Sequence, residues 1–436
     1  MEQTTNFNYK NLFTLMFIIF ITFLSLNTFR MVFFTSIDNS VFRFFSTYLG
    51  VVIIGFFALG IHFISYRKSV NKFTWFILGY LVFASCYDMM GIELSYSKIK
   101  EIVVFNKLNQ GVFIAIVSFT LWKRAYKDNE AIVFNTFLLL VTVLIIINVT
   151  MIFRYLFDYS LIDNHASLNN NRLSLEMLTL VSVLLTMQLR QPIRKRVLVA
   201  ALFLVVTMLA VFYSSRFVIL GAMLIIGSIF YGEFAKNYTL HYLEKLILLA
   251  AFSVAVFGMF DAHYNWSRTA IVNSFPAVSQ PGTQFENKVR KNIDLKKGGT
   301  DVHLIIAGLL GKDITEDGTA DLDLNTLSVI SRLSNGIQSL NSFANFPFGQ
   351  GSNIANKRRA FGHSNHSVFL RSLEAYGVFF LAFAFILYFR IAPSKNLAVW
   401  VPLILVGIFT SNVIWCTLLP FIVQEQNSKL RKDKGL

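Results

Sequence analysis

Charge is scarce in this chain: Asp, Glu, Lys and Arg make up 14% of 436 residues, while hydrophobic types make up 55%, a balance that excludes a water-soluble globular fold. Proline is scarcer still, with 7 in all, so the apolar runs are mostly unbroken. The only cysteines, Cys86 and Cys416, both lie inside apolar runs. They exclude a disulfide framework and read as packing thiols. Acidic residues number 24 against 39 basic, leaving a net charge of +15. In so apolar a chain that excess reads as membrane orientation and attraction to anionic lipid, not as a nucleic-acid surface. No P-loop, dinucleotide fingerprint, His-Glu-x-x-His pattern or internal repeat is present. Energy for any chemistry must then come from an activated substrate or an ion gradient. The first apolar run, 12–26, lacks a small-residue cleavage site and is expected to remain as a span.

What is abundant is long hydrophobic sequence. Twelve spans are expected, near 12–29, 44–66, 73–91, 102–122, 131–153, 173–189, 197–213, 217–235, 243–260, 368–389, 397–411 and 413–425. The predicted fold is therefore an all-α polytopic membrane protein. Its helices fall in two groups, nine within 1–260 and three within 368–436, separated by a polar region at 261–367. With the N-terminus inside, Arg67, Lys68, Lys72, Lys123, Arg124, Arg190, Arg194, Lys195, Arg196, Lys236, Lys245, Arg390 and the basic tail all fall on the cytoplasmic side. That places both termini in the cytoplasm and 261–367 outside.

The polar region carries its own pattern. Leu327, Ile330, Leu333, Ile337, Leu340 and Ala344 recur at helical spacing, with Asp321 and Asp323 as caps and Pro347, Gly349 and Gly351 as a breaker. The region is not a flexible linker and is expected to pack back on the membrane domain. Around Gly298, Gly299 and 312–318, charge and glycine without periodicity predict loop.

Several side chains at the external ends of spans are chemically costly there. Arg30, Arg43, Arg154, Arg172, Arg216, Arg332 and Arg371 stand against the orientation rule. Such arginines either snorkel to headgroups or bind an anion, and the planar guanidinium matches phosphate oxygens bidentately. Arg216 is held in a tight turn after Ser214 and Ser215, and Arg332 sits among apolar neighbours. His363 and His366, three apart at the edge of the tenth span, are candidates for a general base, for helix capping or a buried hydrogen bond, or for a zinc pair whose third ligand comes from His263, His303 or an acid. Glu374 and Glu176 lie within spans, where pairing with Arg371 or Arg172 competes with a functional role; Asp88 and Glu93 are similar but shallower.

These landmarks resemble the O-antigen ligase and polymerase superfamily of integral membrane transferases. The likeness rests on three features: Ser215 and Arg216 before an apolar helix; Ser331 and Arg332 on an amphipathic helix that closes on Phe346, Pro347, Phe348, Gly349, Gln350 and Gly351; and His366, Leu370, Glu374 and Gly377, similar to the family's His-Asn-x-x-Leu, Glu, Gly signature. Ser367 stands where that signature has Asn, while Asn365 precedes His366. The resemblance implies a GT-C-like fold in a bacterial inner membrane with the active site facing the periplasm. It implies a donor glycan on undecaprenyl diphosphate, held by Arg216 and Arg332, with His366, or else His363, as the base on the acceptor hydroxyl. Glu374, Arg371 and Arg172 would support them. Neither a metal nor another cofactor is implied. The acceptor is a glycan in a polymerase or lipid A-core in a ligase, with polymerase the leading reading and a chain-length regulator a further candidate partner. A lipid-linked glycan flippase or other transporter, and a membrane scaffold, are the readings from other classes.

Overall fold

A computed structural model describes residues 72–90, 129–150, 171–187, 191–212, 216–234, 239–264, 291–294, 302–322, 324–351 and 368–391, with short helical pieces within 12–22 and 57–61. The described chain is mostly helical. Seven of the expected spans coincide with helices: α1 (Lys72–Met89), α2 (Asn129–Thr150), α3 (Asn171–Met187), α4 (Ile193–Phe212), α5 (Arg216–Phe234), α6 (Tyr242–Tyr264) and α9 (Val368–Ile391). Within four of these, Asn129–Thr150, Ile193–Phe212, Tyr242–Asp261 and Phe369–Ile386, the helix is long and apolar enough to cross a membrane. The protein is thus a helical, membrane-embedded chain. Helix is the favoured form because a lipid-facing strand edge would leave backbone donors without partners.

The largest core is built around α4, which packs against α3, α5 and α6. Val199, Ala200, Phe203, Val206 and Ala210 are fully buried on it, facing small residues such as Ala251 and Ala255 of α6. At Gly258 of α6 a Cβ would collide with the Val211 side chain, so glycine sets how closely the two helices approach. Polar side chains inside the helices turn back on their own carbonyls: Asn148 donates to Leu144 O at 2.7 Å, Ser182 to Leu178 O at 2.6 Å and Thr207 to Phe203 O at 2.8 Å. At one end, Arg196 of α4 grips the buried Glu244 of α6 with two bonds, Nε to Oε1 at 2.9 Å and Nη2 to Oε2 at 2.7 Å.

α1 and α9 form a second contact. Tyr80 stacks on Phe383 with ring centroids 3.9 Å apart, and the Tyr376 hydroxyl donates to Asp88 Oδ2 at 2.9 Å in a buried site. α9 is broken at Gly377, whose φ of 54° and ψ of −132° interrupt the ladder. The freed backbone groups are met by the turn at 347–351. Val378 N donates to Pro347 O at 2.8 Å, Gln350 N to Glu374 O at 3.0 Å, and Gly351 N to Ala375 O at 2.9 Å. The Tyr87 hydroxyl of α1 reaches the same turn at Phe348 O, 2.9 Å away.

Between α6 and α9 stand β1 (Lys291–Asp294), α7 (Val302–Leu309), β2 (Thr319–Leu322) and α8 (Leu324–Asn345). The two strands pair antiparallel, Lys291 opposite Leu322 and Asp294 opposite Thr319. Asp321, expected as a helix cap, lies inside β2 opposite Asn292, because strand pairing captures the backbone before the helix begins at Leu324. Residues 312–318 form the expected loop, but α7 was not foreseen: eight residues are too few for a periodic signal to stand out.

α8 packs on α9, and the side it turns there is its polar one. Ser331, Ser334, Asn335 and Ser339 are buried, whereas Leu333, Ile337 and Leu340 are 50%, 40% and 50% exposed. Only Ile330 of the described apolar positions faces inward, against Ile306 and Ala307 of α7. The helix turns its polar side inward because the surface it meets on α9 is itself polar, with Arg371, Ser372 and Glu374 buried there.

Candidate functional site

α8 carries Arg332 half-buried, one position from the buried polar stripe. Its guanidinium is held below its usual basicity, first by burial and second by the positive charge of Arg216. Two arginines 116 positions apart in sequence (216 and 332) therefore lie within electrostatic reach of each other.

Arg216 is exposed and forms the first residue of α5. A helix N-terminus already carries roughly half a positive charge from its aligned peptide dipoles. An arginine there gains nothing from its own helix. Its side chain, the N-terminal end of α5 and Arg332 together make a positive locus. An anion suits such a locus, since a helix N-terminus and guanidinium forks match phosphate oxygens.

The polar stripe behind Arg332 joins this locus to α9. Ser339 Oγ donates to Glu374 Oε2 at 3.0 Å, both groups buried. Ser331 and Ser334 are also buried, and their hydroxyls have no hydrogen-bond partner among the described residues. Arg371 is buried one turn before Glu374. Glu374 is thus anchored to the helix bearing Arg332, a partner that sequence spacing did not suggest.

Arg172 and Glu176 belong to α3, but their side chains fall outside the described residues, as does the side chain of His263 on α6. His363, His366 and Glu93 lie outside the described residues altogether. His303 is buried on α7, next to the small core formed with Ile306 and Ala307. Asp88 is buried against Tyr376 and so serves the junction of α1 and α9. Sequence reasoning missed Tyr87 and Tyr376 in that junction. The available signal was a tyrosine within an apolar span, which needs a partner for its hydroxyl.

No protein-family model, no curated protein and no solved structure matches this chain.

Proposed function

We propose that this chain is a membrane glycosyltransferase acting on glycans carried by undecaprenyl diphosphate, within a GT-C-like architecture of about twelve spans in a bacterial inner membrane. The observation that carries the reading is the approach of Arg216 at a helix N-terminus to the half-buried Arg332. The two would hold the diphosphate as negative charge develops on it. The bond between the sugar anomeric carbon and the phosphate oxygen breaks, and undecaprenyl diphosphate leaves. The acceptor hydroxyl oxygen bonds to that carbon as His366 takes its proton. The favoured acceptor is the growing glycan, making the enzyme a polymerase of repeat units on the periplasmic face. The resemblance in the residues around 215–216, 331–351 and 366–377 supports this reading beside the arginine pair.

The test is to replace Arg216, Arg332 and His366 singly with Ala, check membrane insertion, and resolve surface polysaccharide by gel. Loss of every chain longer than one repeat is the expected result. Long chains retained on the carrier lipid would assign the protein as a ligase to lipid A-core instead. Normal polysaccharide in all three variants would overturn the transferase reading.

A further inference from the structure

We infer that α8 lies along a bilayer surface, with the ridge formed by Leu333, Ile337, Leu340 and Ala344 seated at the boundary between headgroups and acyl chains. The ridge is exposed along its length, and the buried Ser331, Ser334, Asn335 and Ser339 lie on the opposite side of the same helix. In an amphipathic helix bathed by water the aliphatic side faces the protein. Here the protein takes the polar side, tied by Ser339 to Glu374 at 3.0 Å, so an apolar medium is what suits the other.

Continuity with the spanning surface identifies that medium. Beyond the end of α8, Phe346 and Phe348 are exposed, and the Phe348 ring sits 6.0 Å from that of Phe379 on α9. Phe379, Leu381, Phe385 and Ile386 are themselves exposed on a helix long and apolar enough to cross a membrane. The apolar surface therefore runs from the side of a span through Phe379 and Phe348 to the end of α8 that carries the ridge. The ridge covers 333–344, about 16 Å at a helical rise of 1.5 Å per residue. A second copy of the chain fits less well, since a specific dimer buries roughly 1,200–2,000 Å², more than one ridge of one helix offers. The net charge of +15 adds attraction to an anionic membrane surface. Seated this way, α8 fixes the depth of Arg332 next to the headgroup layer.

This placement does not rest on the transferase reading, and each can fail alone. The test uses the full chain in anionic phospholipid vesicles, with Cys86→Ser and Cys416→Ser as background and single nitroxide labels at Leu333→Cys, Ile337→Cys and Leu340→Cys. Asp317→Cys, in an exposed turn, supplies the aqueous reference, and Phe385→Cys on α9 the acyl reference. Labels on the ridge are expected to collide with oxygen several-fold more, and with a water-soluble nickel chelate several-fold less, than the label at 317. Their depth should fall between the two references. Nickel-dominated collisions like those at 317 would place the ridge in water, and shielding from both reagents would place a protein there; either result overturns the inference. Photoactivatable phospholipid added to the unsubstituted chain provides a second reading, with adducts expected within 333–348. Their absence there, with adducts present on α9, would equally overturn it.

Discussion

Gly377 and Pro347 meet where no other residue would fit: a Cβ on Gly377 would run into the Pro347 carbonyl, the same carbonyl that accepts the Val378 amide at 2.8 Å. The break in α9 and the turn after α8 are thus one feature. The turn supplies the polar partners that the broken helix lacks, which is what allows a kink inside a span.

Gly377→Ala is expected to destabilise this junction by roughly 1–3 kcal/mol, the usual cost of forcing a side chain into such a backbone region, with the collision adding to it. Gly349→Ala should behave similarly, because its Cβ would strike the backbone at Ala375 and Tyr376. Thermal unfolding in detergent measures both. An alanine at 377 that leaves the midpoint unchanged would show that the kink relaxes freely.

The bond between Ser339 and Glu374 should appear as an energetic coupling. Both groups are buried, and a hydrogen bond to a charged partner contributes roughly 1.5–3 kcal/mol. In a double-mutant cycle of Ser339→Ala and Glu374→Ala, the single losses should exceed the double loss when combined. Simple additivity would mean that the contact contributes nothing.

Arg216 and Arg332 repel each other, so either alanine variant should relieve the other in the absence of an anion. The sign follows from the depressed basicity of Arg332. The penalty on its charged form is full below the lowered folded-state pKa, shrinks as pH rises through it and is gone above the unfolded value. The gain from Arg332→Met should therefore be flat from about pH 5 to about pH 9, as measured by unfolding. Inorganic pyrophosphate should reverse the order of stability. A ligand at 100 times its Kd stabilises by roughly 2.7 kcal/mol, and this increment should vanish in Arg216→Ala and Arg332→Ala. An equal shift in all three proteins would remove the anion site.

At the other end of the helices, Arg196→Ala would strip the buried Glu244 of two bonds while leaving the one from the His241 amide at 2.7 Å. Breaking a buried ion pair costs roughly 3–5 kcal/mol, and the surviving amide bond and the partial exposure of Arg196 put this case at the lower end. The Lys245 to Glu233 pair is more exposed and should contribute only about 0.2–1 kcal/mol. Unfolding midpoints of Arg196→Ala and Lys245→Ala side by side check the ranking.

Hydropathy was sufficient to locate α1, α2, α3, α4, α5, α6 and α9, since a run of apolar residues needs no partner to be recognised as a span. The position of α8 was equally legible from its period. Which side of it faces the protein was not: Leu333, Ile337 and Leu340 report that a ridge exists, and only Glu374 and Arg371 on a distant segment decide that the serines turn inward. The same holds for Asp88. An acid at the end of an apolar span marked it as unusual, but its partner is Tyr376, 288 positions away.

By itself the sequence determined the helical membrane-embedded character of this protein, because length and hydrophobicity of each segment are local quantities that the bilayer reads segment by segment. It also supplied Arg216 and Arg332 as costly cations. Tertiary structure alone decided that these two charges approach each other, that the turn at 347–351 fills the break at Gly377, and that α8 presents serine inward and leucine outward. Each of those outcomes depends on the chemistry of a surface contributed by a remote part of the chain, and spacing along one helix carries no information about the face it will meet.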